Sequence, residues 1–222
     1  MTCGAGAMMR DKTLWEQPVT YSAIGRTQAP DLLRYPPPGF RATQHSARVG
    51  HGEARWNVAW RRAMTWDIKR RSGFRVITVE TPDFVFENTY SPVTFDDDGI
   101  PAAPSVLHQA HDNDGESLVR PGDSAVLSIG WGALSLHEPV RVVYLIEEPR
   151  RRGFAYGTLP GHPLLGEECF AVEHRPDDSV WLTVRSFSRP NGRLWWVLLP
   201  ALRIAQVVFI RRYARALAGP ID

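Results

Sequence analysis

The sequence predicts an α+β fold in which a curved antiparallel sheet packs on a long C-terminal helix. Three observations carry that expectation. Five short segments rich in β-branched and aromatic residues follow one another between turn signals from Ser124 to Ser188. An amphipathic helical pattern precedes them at Glu53 to Arg71, and a long apolar stretch with an arginine-rich end closes the series at Leu194 to Leu217. A length of 222 residues suits one domain with one large core, and 43% hydrophobic with 23% charged residues excludes a disordered, collagenous or membrane-bundle chain.

Residues 1–40 read as an extended N-terminal arm lying on the domain. Gln28-Ala29-Pro30 and Tyr35-Pro36-Pro37-Pro38-Gly39 hold it out of helix, because proline fixes its own φ and restricts its predecessor. Residues 41–219 then form a single α+β domain. A strand is expected at Ala42 to Val49 and a break at Gly50-His51-Gly52. One continuous helix follows over Glu53 to Arg71, where Trp56, Ala59, Trp60, Ala63, Met64 and Trp66 recur at helical spacing. Gly73 stops it, and Phe74 to Thr81 alternates like a strand. The pattern weakens over 82–117, a variable excursion with a strand at Phe84 to Tyr90 and turns at Asp96-Asp97-Asp98-Gly99 and His111-Asp112-Asn113-Asp114-Gly115.

Strands are then expected at Ser124 to Trp131, Val140 to Glu147, Gly153 to Leu159, Glu168 to His174 and Val180 to Ser188. In the second of these, Val140, Val142, Tyr144 and Ile146 alternate with Val143 and Leu145, so it is apolar on both faces and belongs inside the sheet. Pro200 either kinks the terminal helix or opens a second one. A strand, a helix, about six strands and a long final helix make a helix-grip arrangement, which commonly leaves a cavity between sheet and helix.

Composition narrows the function classes. The net charge of +2 is too small for nucleic-acid binding by bulk electrostatics. Basic charge is almost all arginine, with lysine at Lys12 and Lys69, and there are 8 tryptophans. Cys3 and Cys169 are far apart, so a disulfide framework is not implied, and Met1 to Arg10 lacks the cationic and apolar regions of a secretory signal; a cytoplasmic protein is expected. Arg203 and Gln206 interrupt Leu194 to Ile210, so no transmembrane span is expected. His108, His111, Asp112, Asp114 and Glu116 crowd together, but Ala110 stands where a calcium loop needs its first ligand, and the flanking residues read as a turn. Neither metal nor cofactor is expected.

The densest chemistry lies between Gly153 and Glu168. Gly153, Ala155 and Gly157 share one face of their strand, a groove to be filled either by the tryptophan-rich C-terminal helix or by a ligand. His162 and the Glu167-Glu168 pair occupy one end of the same hairpin, an acid/base combination if buried and a solvated one if not. Arg185 alternates with Val184 and Ser186 on a strand that also carries Trp181, Thr183 and Phe187, a mixed face that suits a pocket lining or an outer surface. In a pocket it pairs with Glu168 across the strands. Asp67 falls in the apolar stripe of the first helix and needs Arg70 or Arg71 as partner.

The strings Pro139-Val140-Arg141-Val142-Val143-Tyr144, Gly153 through Pro163, Gly166-Glu167-Glu168, Ser186-Phe187-Ser188-Arg189-Pro190 and Arg211-Arg212-Tyr213 resemble the bacterial and plant family called domain of unknown function nineteen-ninety. Ala29-Pro30-Asp31-Leu32-Leu33-Arg34-Tyr35-Pro36-Pro37 looks like its longer actinobacterial members. The resemblance covers most of the chain, least between Pro82 and Glu116, and brings no reaction or ligand with it. Its order of elements is similar to the START and polyketide-cyclase group of helix-grip proteins, an analogy of fold.

The expected function is binding of a hydrophobic or aromatic small molecule between sheet and C-terminal helix, with acid/base catalysis of a cyclase or isomerase kind if there is any reaction. Tyr156 is the expected hydrogen-bond donor, Glu168 the base, Arg185 the anion clamp and His162 a proton shuttle at the mouth. The alternative is a non-catalytic protein whose C-terminal helix docks on a partner, a second copy or a membrane surface through Trp195-Trp196 and Arg211, Arg212 and Arg215.

Overall fold

In the computed structural model, which describes residues 14–79, 117–130 and 135–221, two 3-10 turns (Leu14–Glu16 and Arg26–Gln28) precede strand β1 (Arg41–His51). Helix α1 (Glu53–Met64) and a single helical turn, α2 (Asp67–Arg71), follow it. The strands are β2 (Arg75–Val79), β3 (Ser124–Ile129), β4 (Leu136–Glu148), β5 (Arg151–Thr158), β6 (Leu164–His174) and β7 (Ser179–Pro190). Two C-terminal helices, α3 (Arg193–Val197) and α4 (Leu199–Ala218), complete the described chain. Pro200 sits in the first turn of α4 and so opens a new helix, where its missing N–H costs nothing. The described strands form one antiparallel sheet in the order β1-β7-β6-β5-β4-β3-β2. The architecture is the α+β helix-grip fold that the element order predicts. Of the excursion expected at 82–117, every residue but Ser117 lies outside the described residues, and with it the strand at Phe84 to Tyr90 and the His108 to Glu116 group.

The first helix is not continuous. Trp66 adopts a left-handed conformation (φ 64°), which ends the α-helical hydrogen bonding after α1 and restarts it at a new angle in α2. A non-glycine residue there is strained, and the indole repays it by packing edge-on to Phe154 at 5.0 Å between ring centres. The break changes which side chains face inward. On an unbroken helix Asp67 would lie within about 20° of Trp56 and Lys69 about 220° away, on the solvent side. Instead Asp67 pairs at the surface with Arg71 Nε (2.5 Å), and Ile68 and Lys69 are buried.

The inner face of the sheet packs on the helices through Trp56, Ala63, Trp66, Phe154, Phe170, Leu182, Tyr213 and Leu217. The outer face is covered too, by the N-terminal arm, and this explains why β4 is apolar on both sides. A bulge between Val142 and Tyr144 reverses the alternation within β4. Val140 and Val142 join the inner core, whereas Tyr144 and Ile146 join Ala155, Cys169 and Ala171 on the outer face. The groove at Ala155 and Gly157 is therefore filled neither by the C-terminal helix nor by a ligand. A Cβ on Gly157 would stand 2.4 Å from the Tyr21 hydroxyl, and Tyr21 in turn packs edge-on to Phe187.

Helix α4 is gripped at one end. Its buried residues are Tyr213, Ala216 and Leu217. Guanidiniums from α1 cap its C-terminal end: Arg55 Nη1 donates to the Leu217 oxygen and to that of Gly219 just past the helix, each at 2.7 Å, and Arg62 Nη2 to Pro220 at 2.9 Å. In the N-terminal half of α4, Ile204, Val207 and Val208 are exposed. No helix among the described residues is long and apolar enough to cross a membrane.

Candidate functional site

Between the sheet and the two C-terminal helices a cavity of about 440 Å³ opens. Its walls are Val184 and Ser186 of β7, Phe74 beside α2, and Trp196, Leu199, Leu202, Phe209 and Ile210 of α3 and α4. Arg41, Arg189 and Arg203 are at its edge. Lys69, Glu138, Tyr156, Glu168 and Tyr213 bring the polar chemistry.

Lys69 is the centre of that group. Its side chain is 1% exposed, and Nζ donates to the Tyr156 and Tyr213 hydroxyls, each at 2.6 Å, and to Glu168 Oε2 at 3.2 Å. Four rings surround the same nitrogen, with Tyr213, Phe170, Tyr156 and Phe74 centred 4.4, 4.7, 4.9 and 5.1 Å away. Tyr156 also donates to Glu168 in a short hydrogen bond. The register makes this inevitable, since Tyr156 of β5 and Glu168 of β6 are direct cross-strand partners on the inner face.

Burial shapes the protonation of Lys69, Tyr156, Tyr213 and Glu138. It pushes the Lys69 ammonium below its ordinary value, against the fields of Glu168 and Glu138, which favour the cation. It pushes Tyr156 and Tyr213 well above theirs, with Glu168 adding to the effect. Burial also raises Glu138 to about 7, opposed by Lys69 and reinforced by Glu168.

Two of the expected site residues, Tyr156 and Glu168, are hydrogen-bonded to each other, and both line the cavity. His162 also lines the cavity, but it is 6% exposed rather than solvated, its Nδ1 accepts the Leu164 N–H at 2.9 Å, and burial lowers it to about 3. It stays neutral near pH 7, which does not suit the expected role of proton shuttle. Arg185 does not reach the cavity. It stands opposite Cys169, not Glu168, and so points to the outer face, where it donates to the Gln28 and Ala29 carbonyls of the arm at 3.3 and 2.6 Å. Strand alternation decides this, because its neighbours Val184 and Ser186 face the cavity.

The Glu167-Glu168 pair is divided the same way. Gly166 belongs to β6 rather than to a loop, so the two glutamates are successive strand residues and point to opposite faces. Glu167, 2% exposed, accepts from Tyr21 Oη (2.8 Å), Gly25 N (2.7 Å), Thr27 N (3.0 Å) and the Thr27 hydroxyl. It anchors the arm, while Glu168 serves the cavity.

Lys69, Glu138 and Tyr213 escape the sequence reading. Lys69 is hidden by the expected unbroken helix, although one lysine in an arginine-dominated domain is a signal. Tyr213 carries no signal beyond its place in a recognisable string. Among the described residues no group of three or more His, Cys, Asp or Glu could hold a metal ion, and Cys169 is a free, buried thiol.

Comparison with known proteins places the chain. A UPF0548 protein of Deinococcus radiodurans is 44% identical over 87 residues, 39% of this chain and 43% of that one. A UPF0548 protein of Arabidopsis thaliana is 35% identical over 90 residues, 38% of this chain and 44% of that one. The chain thus spans less than half the length of these curated relatives. The 1.88 Å crystal structure of the hypothetical protein jhp0584 from Helicobacter pylori aligns with a TM-score of 0.50 at 10% identity, over 90% of this chain and 97% of that one, a likeness of fold alone. The family model described as domain of unknown function (DUF1990) matches residues 20–93 and 105–216, which is most of the sequence and contains the arm anchor, Lys69, Glu168 and Tyr213 alike, and the chain belongs to that family.

Proposed function

We propose that the chain binds a hydrophobic or aromatic small molecule bearing one polar group in the cavity between the sheet and α4, in a cytoplasmic setting. One observation carries the reading: an apolar-walled space of about 440 Å³ ends on a fully buried Lys69 held by Tyr156, Tyr213 and Glu168. Ligand sites are commonly of this size and this composition, apolar walls with a few convergent polar groups. The ligand's apolar body lies against Leu199, Leu202 and Phe209, and its polar group meets the floor. Any acid/base help, of a cyclase or isomerase kind, comes from Glu138, whose carboxyl near 7 exchanges protons at working pH.

Native mass spectrometry of protein purified from its own host tests this. A retained small molecule, lost in a Val184→Trp variant whose indole occupies the space, supports it. Retention unchanged in that variant places the ligand elsewhere.

A second reading has its own observation. Leu194, Trp196, Val197 and Ile204 are 64%, 58%, 77% and 67% exposed, and between Arg193 and Ala218 there are five arginines and no acidic residue. An apolar, purely cationic helix suits an anionic membrane surface. Co-sedimentation with phosphatidylglycerol vesicles that Val197→Asp abolishes supports it; equal recovery with neutral vesicles refutes it.

A further inference from the structure

We infer that Lys69 is a carbonyl-reactive amine, and that the cavity takes an aldehyde or ketone whose carbonyl carbon is attacked by Lys69 Nζ to form an imine. The inference rests on the cavity being the ligand site and names the class of ligand it takes.

The residue type is the first argument. Of 26 basic side chains, Lys12 and Lys69 alone are lysines. A buried partner for the Glu168 carboxylate would be served at least as well by arginine, which binds carboxylates through two parallel hydrogen bonds. Arginine cannot lose its proton in a protein, whereas a buried lysine can. What the lysine supplies at this position is therefore a nitrogen able to present a lone pair.

The surroundings are the second argument. Lys69 lines the cavity, and what encloses its Nζ is mostly aromatic faces, so the ammonium has little water to solvate it. Burial accordingly favours the neutral amine. An exposed lysine at pH 7 is neutral in roughly one molecule in 2,500, and desolvation raises that fraction directly.

The third argument is that the groups in contact with Nζ are those that imine formation needs. The nitrogen lone pair forms a bond to the carbonyl carbon as the C=O π pair moves to oxygen. A proton passes from nitrogen to that oxygen, giving a carbinolamine. Protonation of its hydroxyl releases water as the nitrogen lone pair closes the C=N bond, and the resulting iminium gives up its N–H proton, returning the one the hydroxyl took. One carbonyl and one amine give one imine and one water, with no oxidant or reductant. Tyr156 and Tyr213, 2.6 Å from Nζ, are positioned to relay protons to the developing oxygen, and Glu168, 3.2 Å away, to accept and return them.

The test uses the full chain with cinnamaldehyde and sodium cyanoborohydride at pH 7, and peptide mass spectrometry to follow the reduced adduct at each lysine. Lys12 is the internal reference. The expected result is labelling at Lys69 at least about tenfold faster than at Lys12, suppressed by prior addition of cinnamyl alcohol, which has the same body and no carbonyl. A Lys69→Arg variant, checked for native circular dichroism, keeps the charge and loses the fast label. Labelling of Lys12 as fast as Lys69, or labelling of Lys69 indifferent to the alcohol, overturns the inference. Binding of cinnamyl alcohol, read by tryptophan fluorescence, separates the two levels. Binding without fast labelling refutes the imine and leaves the ligand site standing, whereas absence of both removes both.

Discussion

Replacing Glu167 by glutamine isolates the arm from the cavity, because the change alters one atom on the outer face of β6 and leaves Glu168 untouched. The carboxylate accepts four hydrogen bonds: Tyr21 and Gly25 on Oε2, and the amide and hydroxyl of Thr27 on Oε1. An amide has one oxygen to offer. With that oxygen in the Oε1 position, the new NH₂ faces the Gly25 N–H, donor against donor, while the Tyr21 hydroxyl can turn and accept. Flipping the amide orphans the Thr27 N–H instead. Either way one buried backbone donor goes unpaired, at about 1–3 kcal/mol, and the surviving bonds fall from charge-assisted to neutral strength, about 1 kcal/mol each. An amide is easier to bury than a carboxylate, which offsets part of the loss. The net expectation is ~2–4 kcal/mol. For a chain of this length that is about 4–16 °C in Tm. Differential scanning calorimetry reads the shift, and limited trypsin digestion reads arm release as faster cleavage after Arg26 and Arg34. Ligand retention stays as in the wild type, since the carboxylate faces the arm. A Tm within a degree of wild type and unchanged cleavage would refute the anchor.

Gly157→Ala places a methyl 2.4 Å from the Tyr21 hydroxyl, and costs ~1–3 kcal/mol by overpacking; equilibrium urea unfolding should show most of that cost vanish in a Tyr21→Ala background, and a cost that persists there locates the clash elsewhere. Arg185→Met removes two hydrogen bonds to the arm carbonyls of Gln28 and Ala29, so stability drops by about 1–3 kcal/mol while ligand retention is unaffected; lost retention with unchanged melting would return Arg185 to the cavity. Glu138 holds its proton to about pH 7 when folded, against an ordinary value of 4.5. Below 4.5 both states are protonated. Between 4.5 and 7 the unfolded chain alone ionises, so this residue costs the fold up to about 1.4 kcal/mol per pH unit as pH rises. The Glu138→Gln variant should therefore gain on wild type across that window in urea titrations, and parallel curves would show that Glu138 ionises normally.

What the sequence by itself determined is the periodic content of the chain. Strands β3 to β7 are legible because alternation is a local property, set by the two-residue pleat. The arm is legible because proline restricts backbone angles wherever it occurs, and the split between α3 and α4 is foreshadowed by Pro200. That Tyr156 and Glu168 lie on neighbouring strands of one hairpin is legible for the same local reason. What tertiary structure alone decided is which face each side chain serves. Alternation says that Glu167 and Glu168 point apart, but not which of them meets the arm and which the cavity; long-range pairing settles that, and it sends Arg185 outward with Glu167. The β4 bulge shifts Tyr144 and Ile146 to the outer face with no mark in the local pattern. Lys69 was hidden by the same kind of non-local cause. Helical periodicity put it in solvent, and a left-handed Trp66, favoured by its contacts with Phe154 and Tyr156 some 90 residues away, turned it into the core. The cavity exists because α4 is clamped at its C-terminal end by Tyr213, Leu217 and the guanidiniums of Arg55 and Arg62, and contacts between segments that distant leave no periodicity for a sequence to display.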